Sequence, residues 1–225
     1  NTIKFTGGGI DYSNERGPVV IDTTSINSVL NYVTVSQLGY YYSSDYTAAI
    51  IIRSSSCTVS NCTIQNIGGT GIQLDKASPS ISSNTFTGNT NLDVILDVDR
   101  LPRLTGNNAM KIGLTAGTMT TNDTLVAGNT YYRLLDNLTV PSGKTLMIQA
   151  GAELQFPSSN SISRLIVKGT LIAAGTAGNT IKFTGGGIDY SNERGPVVID
   201  TTSINSVLNY VTVSQLGYYY SSDYT

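Results

Sequence analysis

Apolar positions along this chain come in very short alternating runs. In DNLTVPSGKTLMIQAGAELQF they form the pairs Leu138/Val140, Leu146/Ile148 and Leu154/Phe156, one pair every eight residues. Strand side chains alternate in direction, so an apolar-x-apolar pair places both side chains on one face of an extended segment. The Pro-Ser-Gly and Ala-Gly pieces between the pairs are turn formers. The pattern therefore predicts short strands, each with one buried face, in place of long helical stripes.

A longer period lies over the short one. Ile50/Ile52, Ile72/Leu74 and Val94/Leu96 recur every 22 residues, as do Val59/Ile64 and Ile81/Phe86, and Leu104/Ala109 follows after 23. Three short strands and their turns occupy about that length, so the chain returns to the same pattern after each circuit. The expected fold is all-β: a three-sided parallel solenoid of about 22–29 residues per coil, each strand pairing with its equivalent one coil on. The turns keep the same register. Aligning VSNCTI, ISSNTF and LTGNNA puts Cys62, Asn84 and Asn107 in one column at a bend, where an amide can bond the copy above and also cap the turn.

The stretch SSSCTVSNCTIQNIGGTGIQLDKASPSISSNTFTGN resembles right-handed parallel β-helix repeats of the pectate-lyase-like kind. The stretch YRLLDNLTVPSGKTLMIQAGAELQF, continued by LIVKGTLIAAGTAGNTIKFTG, is similar to the opening coils of β-helical segments in large prokaryotic surface proteins. The resemblance implies a right-handed coil. It implies little about activity, since this architecture serves lyases, hydrolases, adhesins and passive stalks. Residues 115–137 are the least patterned part.

Residues 1–47 return without a substitution as residues 179–225, a shift of 178. The chain thus reads as one complete unit, 1–178, followed by the start of the next in one continuous solenoid. Identity at this level, together with the absence of Met at position 1, is what a window on a longer array would give. With about seven coils at ~4.8 Å each, a unit would rise roughly 34 Å. A solenoid contacts only neighbouring coils, so identical units can be appended without redesigning a core. The expected role is mechanical: an extracellular or cell-surface fibre, self-associating along its axis or sideways, with no cofactor. A glycan-binding adhesin is the alternative, and a polysaccharide lyase or hydrolase ranks behind both.

Composition narrows the chemistry. Charged residues are 12% of the chain, about half the usual share, and the net charge is −2, so no general field attracts nucleic acid or an anionic membrane. No run approaches the ~18 apolar residues of a membrane span. There is no His, which removes the commonest general base and every Ser-His or Cys-His nucleophile. The two cysteines, Cys57 and Cys62, fit either a local disulfide or two buried thiols; their apolar neighbours Val59 and Ile64 favour the latter.

Three features could carry function. In LDVILDVDRLPR, inward Val94, Leu96 and Val98 would leave Asp93, Asp97 and Asp99 outward on one strand, with Arg100 and Arg103 beyond. The resemblance implies that such carboxylates and arginines hold Ca²⁺ or act as base in the family's lyases, with Asp75 and Asp97 the candidate cation ligands. The simpler reading stacks Asp22, Arg53, Asp75 and Asp97 as a charge ladder on successive coils. Second, Tyr40, Tyr41, Tyr42 and Tyr46 in LGYYYSSDYT are expected to pack over an adjacent coil; sugar stacking and contacts between fibres are the functional alternatives. Third, the sequons at Asn61, Asn122 and Asn137 are candidate glycosylation sites in a suitable host.

Overall fold

The computed structural model describes residues 3–7, 17–38, 48–156, 163–185 and 197–216. Among the described residues it is all-β, with one 3-10 segment, Val98–Arg103, and the strand pairings whose register is given below are parallel. The chain falls into two compact units, one of residues 1–96 with 102–112 and the other of residues 97–101 with 113–225.

In the first unit, consecutive strands visit three sheets in rotation. One sheet runs Ile3–Thr6, Val33–Ser36, Thr63–Gln65, Thr85–Thr87; the second Val19–Ile21, Ala48–Ile52, Thr70–Leu74, Val94–Leu96; the third Val29–Asn31, Thr58–Ser60, Ser80–Ser82, Leu104–Thr105. Register follows the apolar period. Ile50 lies opposite Ile72 and Ile72 opposite Val94, Val59 opposite Ile81, and Ile64 opposite Phe86, all shifts of 22; Ile81 opposite Leu104 is a shift of 23. Ile50, Ile64, Ile72, Ile81 and Val94 are wholly buried. Burying one such side chain stabilises by about 1.5–3 kcal/mol, so like-on-like stacking fixes the register: a slip of one residue would turn each stack outward.

The second unit repeats the rotation. Its sheets run Gly117–Thr118, Leu138–Val140, Leu165–Val167, Val197–Ile199; then Asp123–Leu125, Thr145–Ile148, Thr170–Ala174, Val207–Asn209; and then Tyr131–Leu134, Glu153–Phe156, Ile181–Gly185, Val211–Ser214. The pairs spaced by eight, Leu138/Val140, Leu146/Ile148 and Leu154/Phe156, therefore supply one strand to each sheet. All six side chains are buried, and Phe156 meets Phe183 edge-on at a centroid distance of 6.4 Å.

Two expectations change. Residues 115–137, which lack the pattern, hold a full row of strands: Gly117 pairs with Leu138, Asp123 with Leu146 and Tyr132 with Leu154. Register shifts also exceed 22–29 residues. They run from 21, Gly117 opposite Leu138, to 35, Ile172 opposite Val207. Shifts of 21–23 occur where the whole circuit is described, and longer ones where it includes a stretch outside the described residues. Strand register is held by the inward stacks, so extra residues enter between strands, where added length costs little.

Candidate functional site: the repeated segment and an acidic cleft

The repeated segment is seen twice, with the same local backbone. Asn27 and Asn205 both have positive φ, 55° and 56°, as do Tyr32 and Tyr210, 55° and 47°, and Gln37 and Gln215, both 56°. Coverage of the two copies is opposite. Ile3 and Phe5 are 62% and 39% exposed, whereas their second copies Ile181 and Phe183 are buried. Ile21 and Val35 are buried, whereas Ile199 and Val213 are 48% and 58% exposed. Register explains the difference: Val35 lies between Phe5 and Ile64, and Phe183 between Leu154 and Val213. The first copy is covered by the strands that follow it, the second by the strands that precede it.

The bend column carries a hydrogen-bond ladder. Asn84 Oδ1 accepts from Cys62 N at 2.9 Å, and Asn107 Oδ1 accepts from Asn84 N at 2.9 Å and Asn84 Nδ2 at 3.1 Å. Each amide also donates to a carbonyl in the preceding row, Asn84 to Val59 O and Asn107 to Ile81 O. Cys62 ends the column, with its thiol directed at Leu30 O and Ser60 O. The residue before each rung, Asn61, Ser83 and Gly106, sits at positive φ and makes the bend. Parallel rungs at Asn89 and Asn108, which bond Ile67 N and Phe86 N, escape the sequence reading because their spacing to the nearest apolar pair differs from that of Asn84. Both cysteines are free and buried; burial pushes the Cys57 thiol up to about 11 and raises that of Cys62 as well.

The charge ladder is made only in part. Arg53 Nε pairs with Asp75 at 3.2 Å. Asp22 instead accepts from Thr23 N at 2.7 Å, closing its own turn, and Asp97 pairs with Arg100 at 3.1 Å, three residues on in its own chain segment. Asp75 and Asp97 belong to different units, and among the described residues no group of three or more Cys, Asp or Glu is placed to hold a metal ion. The expectation of three carboxylates outward on one strand is corrected. Asp93 is 4% exposed, its carboxylate accepting from Asn89 Nδ2 and Lys111 N, both at 2.8 Å. The strand stops at Leu96, so Asp97 follows it and Asp99 lies in the 3-10 segment.

That segment borders a cleft of about 330 Å³ in the second unit, lined in part by Asp97, Asp99, Arg100, Thr118 and Thr120. Burial raises the Asp97 carboxyl, against the Arg100 guanidinium and with the Asp99 charge. Burial acts on Asp99 too, but the hydroxyls and main-chain N–H groups of Thr120 and Thr121 overcome it and hold that carboxyl below its usual range. Asp123, buried beside them, is raised by burial, opposed by a hydrogen bond from Thr121 and assisted by the charges of Asp99 and Asp97.

Tyr40, Tyr41, Tyr42 and Tyr46 lie outside the described residues. The three sequon asparagines are exposed: Asn61 Nδ2 donates to Asn31, while Asn122 and Asn137 accept main-chain N–H bonds from Thr145 and Arg164. Compared with known proteins, the chain matches no protein-family model, no curated protein and no solved structure.

Proposed function

We propose that this chain is a length of a structural fibre or surface stalk, extracellular or displayed on a cell surface. In this reading the parallel stacks are coils of a right-handed β-helix of the pectate-lyase-like kind, and the 178-residue unit repeats along one axis. The observation that supports it is the opposite coverage of the two identical segments. In an array, each copy would have the row ending at Phe156 on one side and the row containing Ile64 on the other. Both of those contacts already occur once in this chain, so extension requires no new interface. The partner is another copy of the same unit, joined covalently or docked end to end.

A chain lengthened by one unit, with residues 48–225 appended after Thr225, tests the reading. Amide exchange around Val211–Ser214 should slow to the rate of Val33–Ser36. Unchanged exchange there would count against axial continuation.

The cleft beside Asp97 favours a second reading, a saccharide-binding adhesin. Its paired Asp97 and Arg100 and its threonine hydroxyls are groups that bond sugar hydroxyls. Glycan-array binding that saturates and is lost in Arg100→Ala would select it over a passive fibre. Neither reading gives the chain a reaction or a cofactor.

A further inference from the structure

Residues 1–47 and 179–225 are one sequence folded twice, and each copy leaves bare the face that the other has covered. In the first copy Ile21 O accepts from Arg53 N at 2.8 Å, Ser28 O accepts from Thr58 N at 2.9 Å, and Val35 is buried opposite Ile64. The second copy presents the same groups as Ile199, Ser206 and Val213. Among the described residues its strands Val197–Ile199, Val207–Asn209 and Val211–Ser214 stand at the ends of their sheets, and Ile199, Leu208 and Val213 are exposed. On their other side these strands pair with Leu165–Val167, Thr170–Ala174 and Ile181–Gly185, which hold this copy in shape.

We propose that molecules of this chain join by segment exchange: the second copy of one molecule takes the place of the first copy in another, against strands Ala48–Ile52, Thr58–Ser60 and Thr63–Gln65. Sequence identity fixes the occupant, since every residue of the displaced segment has its duplicate 178 positions on. The joint remakes pairings the chain already has, Val19 opposite Ile50, Val29 opposite Thr58 and Val35 opposite Ile64, with Val197, Val207 and Val213. The pairing given up inside the displaced segment, Ile3 opposite Val33, is present in the incoming molecule as Ile181 opposite Val211.

Ordering entropy favours the exchange. The incoming copy is ordered beforehand by the strands behind it, whereas the displaced copy regains the freedom it lost on folding. An open sheet edge is a template for a strand from another chain, and here the matching strands belong to the protein itself. Donor and acceptor surfaces are different parts of the chain, so one molecule serves as both and exchange propagates from molecule to molecule. The inference deepens the self-association of the fibre reading by specifying its joint; an array joined covalently would stand without it.

The test is cross-linking with a short bis-maleimide between full chains that carry one added cysteine each, mixed at high concentration with gentle warming. Thr34 lies opposite Thr63, so exchange puts Thr212 of one molecule opposite Thr63 of another. Thr212→Cys mixed with Thr63→Cys should give a dimer, more of it at higher concentration, that contains a peptide linking these two positions. Thr212→Cys mixed with the native chain, whose cysteines are buried, should give none. Adding Val213→Lys to the Thr212→Cys chain should abolish the link, because that side chain is exposed in the separate molecule but would bury a charge against Ile64 in the joint. Circular dichroism confirms that each chain is folded. Absence of the link between folded chains overturns the proposal, and so does a link that survives Val213→Lys. A link from Thr212→Cys to Lys4→Cys in its place also overturns it, marking end-to-end contact of intact molecules. Should exchange fail while the lengthened chain still slows amide exchange at Val211–Ser214, the axial array stands and only this joint falls.

Discussion

Asn107 Oδ1 receives two hydrogen bonds from one residue of the neighbouring row, from the main-chain nitrogen of Asn84 at 2.9 Å and from its amide Nδ2 at 3.1 Å. Asn84 in turn satisfies Cys62 N and Val59 O in the row before, and is 1% exposed. The column thus converts a bend, where main-chain groups would otherwise be buried without partners, into a continuous set of bonds. Asn84→Ala would strand the Cys62 N–H and remove a bond to the Val59 carbonyl, at about 1–3 kcal/mol for the buried donor left unsatisfied. Denaturant unfolding should show a lower midpoint. Asn84→Asp, which would bury a carboxylate oxygen against two acceptors, Val59 O and Asn107 Oδ1, should lower the midpoint at least as far at neutral pH.

Gly169 permits a corner where main chains meet. A Cβ there would lie 2.2 Å from Pro141 O and 2.4 Å from Lys144 O, both rigid main-chain atoms. Gly169→Ala should cost about 1–3 kcal/mol in thermal or denaturant unfolding, the usual price of overpacking. Gly178→Ala, with nothing within 4 Å, should stay within about 0.5 kcal/mol.

The acidic cleft makes stability depend on pH in two opposing ways. Asp99 has a lowered carboxyl pKa, so its contribution is full above the unfolded value of about 3.9 and is lost as pH falls through the lower folded value. Asp99→Asn should therefore destabilise at neutral pH, with the difference closing in strong acid. Asp123 is raised, so its ionised form opposes folding at neutral pH; that cost is relieved as pH falls through the folded value and is gone below the unfolded one. Asp123→Asn should match or exceed the native stability at pH 7. Thermal unfolding across pH 2–7 measures both, and equal curves for Asp99→Asn and the native chain would contradict the assignment.

Cys57 and Cys62 should be silent to a thiol reagent in the folded chain at pH 8, because both are buried and both thiols are raised in pKa by burial. Both should react after unfolding in denaturant without a reducing agent. Failure to react then would reveal a disulfide.

What could be read in the sequence follows from where the inward positions are apolar. Ile50, Ile72 and Val94 show their 22-residue period because every member of the stack is apolar and buried. The row at 117–134 escapes notice because its inward positions include Gly117, which pairs with Leu138, and Asp123, which pairs with Leu146; a glycine and a carboxylate break the apolar alternation while keeping the main-chain ladder. Asp93 departs from the outward position that alternation implies for a related reason. It precedes the strand that begins at Val94, and Asn89 and Lys111, not strand geometry, set the direction of its side chain. The Asn84 column was legible because its period equals that of the strands, whereas the partners of Asp22 and Asp97 are local and leave no period.

Electron microscopy of the native material tests the central claim most directly. If the proposed coils stack along one axis, about seven per unit at ~4.8 Å, the material forms filaments with an axial repeat of roughly 34 Å. Discrete particles of fixed small size, or filaments whose repeat bears no relation to that spacing, would contradict it.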